Sequence, residues 1–294
     1  MNEARSASEP TAEGRTGKRR SPRHVRSLIR TALPLMLLSL AGAQAPEPAV
    51  KLWRLDCGAL QVANLDEYSD TRAYVGQSRR FVVSCYLVQH GDDYMIWDTG
   101  LPRREPGART DPTVTHGSPI IDQLRRLGVR PAQIGLVGFS HYHFDHTGQA
   151  EDFRRARLLI GERDFEALVG NESRARPLAP WTSGGGALEL VSGDKDVFGD
   201  GRVVMLDLPG HTPGHHGLLV TLSRSGPVLL SGDTAHFREN LESDGVPSFN
   251  TDRAQSLASL DRFRTLGRNL RAKVILGHDG RDIAKLPTFP AAAD

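Results

Sequence analysis

His141-Tyr142-His143-Phe144-Asp145-His146 packs four metal-ligand side chains into six residues. The run before it, 134–139, is short and apolar and reads as a buried strand that delivers the chain into the cluster. At that strand's end His141 and His143 are two apart, so their imidazoles can point to the same side. His146 lies three residues beyond His143, close to one helical turn, where the chain turns into a helix. The four side chains can therefore face two adjacent metal positions rather than one. Imidazole with carboxylate suits zinc and similar divalent ions, whereas calcium would want an all-oxygen set. Solvated turn histidines would be the plainer account of one lone His, but not of His-x-His-x-Asp-His.

Three later positions repeat the placement. His211 follows the apolar run 203–208 in Pro209-Gly210-His211-Thr212-Pro213-Gly214-His215. Asp233 follows 228–231 in Ser231-Gly232-Asp233-Thr234, and His278 follows 274–276 in Leu276-Gly277-His278-Asp279. Each is a ligand-type residue just after a glycine at the end of an apolar strand. One such pair would read as an ordinary turn. The repetition brings four strand ends, and their ligands, to one edge of a fold.

The remaining text supplies the layers. Strands are expected at 51–62, 80–90 and 94–97, then at 158–160, 188–191, 217–222 and at the three runs above. In the first, Trp53, Leu55 and Cys57 alternate with Leu52, Arg54 and Asp56, which predicts the former set as the buried face. Helices are expected at 119–127, 162–169 and 252–266, the last carrying Leu257, Leu260, Phe263 and Leu266 on one face. Residues 183–186 form a glycine-rich surface connection. Sheets in the core with helices outside predict a single α/β domain over 51–294, and periodicity alone leaves its topology open.

Charge and leader bear on location. The chain holds 37 basic and 35 acidic residues, but the first 43 residues carry eight of the former and three of the latter. Without that segment the balance is 29 to 32, so nucleic acid is not an expected partner. Residues 1–43 read as a signal peptide: Lys18 to Arg30 positive, 33–40 apolar, then Ala41-Gly42-Ala43, with a linker at 44–50. The apolar run falls short of the roughly 20 residues that span a bilayer, so no stable membrane span is expected after cleavage. A retained membrane anchor is the alternative. Export to a periplasm or the exterior is the expectation. The two cysteines, Cys57 and Cys85, sit in strand-like text as small buried hydrophobes, and an exported protein could join them if the strands are neighbours.

The order His141-x-His143-x-Asp145-His146, then His211, Asp233 and His278, resembles the metallo-β-lactamase superfamily over nearly the whole mature chain. The resemblance implies an αββα sandwich with the metals at one edge of paired sheets. It implies that His141, His143 and His211 hold one metal, that Asp145, His146 and His278 hold the second, and that Asp233 bridges them. Two zinc ions sharing a hydroxide are the expected cofactor. The commonest class B β-lactamases lack a His at 146 and use Cys at 233. Glyoxalase II-like enzymes add a C-terminal helical domain, and RNA-processing members carry inserted domains. Gly210-His211-Thr212-Pro213-Gly214-His215, Ser231-Gly232-Asp233, Arg238-Glu239-Asn240, Cys85-Tyr86-Leu87-Val88 and Trp97-Asp98-Thr99-Gly100 are most similar to the N-acyl-homoserine lactonase branch.

That branch implies a hydrolase opening the lactone ring of N-acyl-homoserine lactones, with Asp145 shuttling the proton to the leaving alkoxide. One departure stands out. Several such lactonases place a tyrosine three residues after the bridging aspartate, hydrogen-bonded to the substrate carbonyl or acyl amide; here His236 stands there and could donate instead. The alternatives are a periplasmic phosphotriester or other ester hydrolase of the same fold, and a non-catalytic, metal-stabilised binder of a small signal. A homodimer is compatible with each. Of the remaining residues, Asp98 is expected either to orient a metal histidine or to cap a turn. His90 and His116 are expected at the surface, and His215 and His216 divided between packing and solvent. Trp53, Trp97 and Trp181 are expected in core or pocket wall, and loop 102–115 as a wall or lid.

Overall fold

A computed structural model of the protein describes residues 48–294 except 105 and 108; the expected leader and residues 44–47 lie outside the described residues. Among the described residues twelve strands form the frame: β1 (Val50–Val62), β2 (Arg79–His90), β3 (Asp93–Trp97), β4 (Val114–Thr115), β5 (Ile134–Gly138), β6 (Arg157–Gly161), β7 (Leu188–Val191), β8 (Lys195–Asp196), β9 (Val203–Asp207), β10 (His216–Leu222), β11 (Gly226–Leu230) and β12 (Lys273–Ile275). The helices are α1 (Ile120–Arg126), α2 (Phe144–Thr147), α3 (Glu162–Val169), α4 (Glu172–Ala175), α5 (Ala179–Thr182), α6 (Arg238–Ser243) and α7 (Arg253–Asn269). No helix among the described residues is long and apolar enough to cross a membrane.

One sheet runs β4-β1-β2-β3-β5-β6-β7 and the other β12-β11-β10-β9-β8. Three apolar cores separate four layers. Leu55, Cys57, Val137, Ile120, Leu124 and Leu168 lie between the first sheet and α1 and α3. Leu52, Val88, Met95, Trp97, Val203, Leu218 and Leu230 lie between the sheets. Leu206, Leu229, Leu260 and Phe263 lie between the second sheet and α7. This is the expected αββα sandwich.

The face assignment on β1 needs correcting. Leu55 and Cys57 are buried as expected, but Leu52 on the opposite face is fully buried too, because the second sheet covers it. Trp53 is only partly buried and donates its indole N–H to the Pro290 carbonyl, 3.1 Å. A sheet covered on both faces has no solvent side for alternation to report, so only Arg54 and Asp56 keep the polar pattern. The pairing Leu55–Cys85 places Cys57 near that residue, and the two cysteines form a disulfide.

Strand direction sets the site. β3, β5 and β6 are mutually parallel, so Trp97 and Gly138 end at the same edge. In the second sheet β9 and β11 both run antiparallel to β10, and β12 is parallel to β11. The C-terminal ends of β9, β11 and β12 therefore share an edge as well. His211, Asp233 and His278 each follow one of these ends by a few residues.

Candidate metal centre

The chain must turn sharply at these strand ends while holding side chains inward. Gly232, just before Asp233, has φ +51°, and a Cβ there would lie 2.7 Å from His215 Nε2 and 2.8 Å from the Ser140 Cβ. Only glycine fits that approach. Asp98, after β3, adopts φ +58° although it has a side chain, a conformation costing about 1–3 kcal/mol that persists where surrounding contacts fix it. Those contacts are on its carboxylate. Oδ1 accepts from the Ser140 backbone N–H at 2.7 Å, and Oδ2 accepts from the Ser140 hydroxyl and His146 Nδ1 at 2.9 Å each.

Of the five candidate ligand imidazoles, four are anchored through Nδ1. His146 uses Asp98, His141 lies 3.1 Å from Ser140 Oγ, His211 donates to Asn250 Oδ1 at 2.8 Å, and His278 donates to the Val82 carbonyl at 2.8 Å. Donation from Nδ1 leaves the Nε2 lone pair free for a ligand, and it fixes the ring plane. His143 presents Nδ1 instead, 2.9 Å from His141 Nε2 and 3.0 Å from His211 Nε2. Three imidazole nitrogens thus converge on one point.

A second group lies beside the first. Asp145 Oδ2 is 3.8 Å from His146 Nε2 and 3.6 Å from His278 Nε2. Asp233 stands between the groups. Its Oδ1 lies 3.4 Å from His146 Nε2 and 3.0 Å from His278 Nε2; its Oδ2 lies 3.6 Å from His141 Nε2 and 3.4 Å from His211 Nε2. Within His141–His143–His211–Asp233, and within Asp145–His146–His278, all donor atoms lie inside 4.8 Å of one another. His146 Nε2 and Asp233 Oδ1 are buried with no hydrogen-bond partner among the described residues. Buried acceptors facing each other call for a cation between them, so the residues fit two ions.

Protonation agrees with that use. Burial holds His141 and His211 well below the ordinary imidazole range and lowers His143 to about 4, so all three stay neutral, as a metal requires. Burial alone would raise Asp233, but His236, His278 and His146 outweigh it and hold the carboxyl well below its usual range. For His146 burial acts downward, and the carboxylates of Asp233, Asp98 and Asp145 overcome it and push the ring up. This excess of negative charge is what two bound cations would neutralise.

All seven sequence-derived ligand positions come together here. His236 is buried beside them, its Nε2 3.1 Å from Asp233 Oδ2. Asp98 orients a histidine rather than merely capping a turn. His215 and His216 are both buried, against the expected division between packing and solvent. His215 accepts from the Asp233 backbone N–H at 2.9 Å, and burial lowers it to about 3, which keeps it a neutral acceptor. His90 is buried too: it stacks on Phe198 at 4.3 Å and pairs with Asp200 at 2.7 Å. His116 is exposed as expected, and Trp97 and Trp181 are core.

Over the donors opens a cavity of about 230 Å³, walled by Leu60, Tyr68, Phe81, Phe144 and Phe249. Tyr68, Phe249 and Asn250 carry no local motif and escape a reading of the sequence. The described residues of loop 102–115 line a neighbouring groove of about 620 Å³ instead, and Phe144 belongs to both walls.

The metallo-beta-lactamase superfamily model matches residues 78–278. The N-acyl homoserine lactonase AttM of Azorhizobium caulinodans is 28% identical over 257 residues, covering 78% of this chain and 93% of the relative. The N-acyl homoserine lactonase AiiA of Bacillus thuringiensis subsp. kurstaki is 27% identical over 227 residues, with 73% and 88% covered. Among solved structures, a quorum-quenching N-acyl homoserine lactone lactonase superposes with TM-score 0.72 at 25% identity, covering 84% of this chain and 99% of the other.

Proposed function

The chain belongs to the metallo-beta-lactamase superfamily and is a metal-dependent hydrolase, and on that premise we propose that it opens the lactone ring of N-acyl-homoserine lactones with two zinc ions. The observation that carries the reading is a seven-donor cluster opening directly onto an aromatic and aliphatic wall. A polar ring beside an apolar chain has the chemistry of that junction. Lactonases among the relatives, matched over most of their length, support the same substrate class.

His141, His143 and His211 would hold one ion, and Asp145, His146 and His278 the other, with Asp233 shared through its two oxygens. When bound, such ions supply Lewis acidity toward a carbonyl oxygen and a water acidic enough to attack near neutral pH. The chain's own groups do the rest. Phe144 and Phe249, both exposed at the rim, offer an apolar surface for an acyl chain. Asp145 Oδ2 lies within 4 Å of both His146 and His278, which places a carboxylate where it can take a proton and pass it to the departing alkoxide. Neither a serine nor a cysteine nucleophile is needed.

Proton release from homoserine lactones of graded acyl length, run beside a phosphotriester and a β-lactam, tests the substrate. Lactone turnover that strengthens with chain length is expected. Turnover of only the phosphotriester or the β-lactam would overturn it.

Export is part of the same proposal. A basic, then apolar, then small-residue leader supports it, as does the Cys57–Cys85 disulfide, since such bonds persist in oxidising compartments. Fractionation of expressing cells should recover leaderless protein outside the cytoplasm; full-length protein held in the cytoplasm would contradict this.

A further inference from the structure

Beside the donors, the cavity wall carries one phenol among its described residues, and that phenol is held in place from several sides. Tyr68 closes a one-turn helix, Leu65–Tyr68, between β1 and β2. Its carbonyl accepts from Asn240 Nδ2 at 2.9 Å. The preceding Glu67 carbonyl accepts from the Ser248 N–H at 2.9 Å and from its hydroxyl at 3.1 Å. Both clamps come from the segment that also carries Phe249 and Asn250, the latter anchoring His211. The ring is fixed as well, edge-on to Phe81 at 4.8 Å, to Phe249 at 5.3 Å and to His236 at 4.8 Å. Backbone and ring are thus positioned by packing that does not use the hydroxyl.

His236 is placed differently. It is 2% exposed, its Nε2 lies 3.1 Å from Asp233 Oδ2, and its ring stacks on His278 at 5.4 Å. A donor at that nitrogen is directed at the shared carboxylate, while the ring and Tyr68 both line the cavity, edge to face. The expectation that His236 donates to substrate therefore meets a competing partner.

We propose that Tyr68, not His236, donates the hydrogen bond to the substrate's carbonyl oxygen, while His236 steadies Asp233. The first half deepens the hydrolase assignment and rests on it, with an ester, lactone or acyl amide carbonyl as the acceptor class. Burial, and then the charges of Asp233 and Asp145, push the phenol's ionisation up, so its O–H remains a donor at working pH. A neutral hydrogen bond to a ground-state carbonyl is worth about tenfold in binding. A donor that also meets developing oxyanion charge is worth roughly 10²–10³ in turnover.

The test compares zinc-loaded wild type with Tyr68→Phe and His236→Phe. Tyr68→Phe keeps every ring contact and deletes only the hydroxyl, so a purely structural role would leave it silent. Steady-state kinetics on N-hexanoyl homoserine lactone and on p-nitrophenyl acetate are paired with calorimetric binding of the opened product, N-hexanoyl homoserine. Expected for Tyr68→Phe are unchanged metal content and melting temperature, product binding weaker by about tenfold, and kcat/KM lower by about tenfold or more. His236→Phe should keep product affinity within about twofold. Wild-type values for Tyr68→Phe in both binding and kcat/KM would overturn the proposal, as would loss of product affinity in His236→Phe alone. If wild type spares the lactone but cleaves the ester, the lactone reading fails, and the ester kcat/KM ratio still decides Tyr68. Wild type inactive on both substrates would overturn both.

Discussion

At the scale of single residues, the centre depends on side chains that touch no ligand atom themselves. Asp164 is the clearest. It is fully buried on α3, accepts from Gly214 N–H at 2.6 Å and from the Thr212 hydroxyl at 2.8 Å, and so fixes the turn that carries His211. Burial raises its pKa to about 7, with the two hydrogen bonds pulling the other way. A carboxyl whose folded pKa is raised binds its proton more tightly when folded. Its stabilisation is full below the ordinary value near 4 and is lost as pH rises through about 7. Asp164→Asn can accept from the Gly214 N–H through its one oxygen and donate its NH2 to Thr212 Oγ1, without titrating. The melting temperature of wild type, measured relative to Asp164→Asn, should therefore fall between pH 4.5 and 8. A difference that stays flat across that window would contradict the assignment. None of this is visible in the sequence, where Asp164 is one polar residue in a helix.

Elements show why some of the molecule was legible and some was not. The metal motif is local: strand β5 ends, α2 begins, and four donors follow within six residues, so spacing alone implies shared geometry. His211, Asp233 and His278 could be found because each repeats one device, an apolar strand, a glycine and a ligand. The helix α7 declared itself through Leu257, Leu260, Phe263 and Leu266, which pack on the second sheet, and Asp252 caps it by accepting from Gln255 N–H at 2.9 Å. Tyr68 and Asn250 act across separations with no pattern to betray them. Tyr68 reaches His236 only because α6 and the following loop clamp the turn after β1. Alternation failed on β1 for a related reason. Sheet order decides which faces are covered, and that order is a property of the whole chain rather than of one strand. The role of His215 leaves no mark in the sequence, because its partner is the backbone N–H of Asp233 and sequence spacing does not reveal main-chain contacts.

For the whole molecule, the sandwich acts as a frame that aims strand ends. Two sheets packed through Leu52, Val88, Trp97, Leu218 and Leu230 bring β5, β9, β11 and β12 to one edge. The rest of the fold differs little in purpose: α1 and α3 seal one outer face and α7 the other. Close acceptors and buried carboxylates at that edge are unfavourable without cations, so metal and fold are linked. Ions that bind the folded chain stabilise it by mass action, so chelation and zinc return also move the melting temperature. Elemental metal analysis of zinc-supplemented protein counts the ions at this edge. Two equivalents of zinc per chain are expected, falling to about one in His278→Ala. Fewer than one equivalent in wild type, or two retained in both proteins, would contradict the pair of ions.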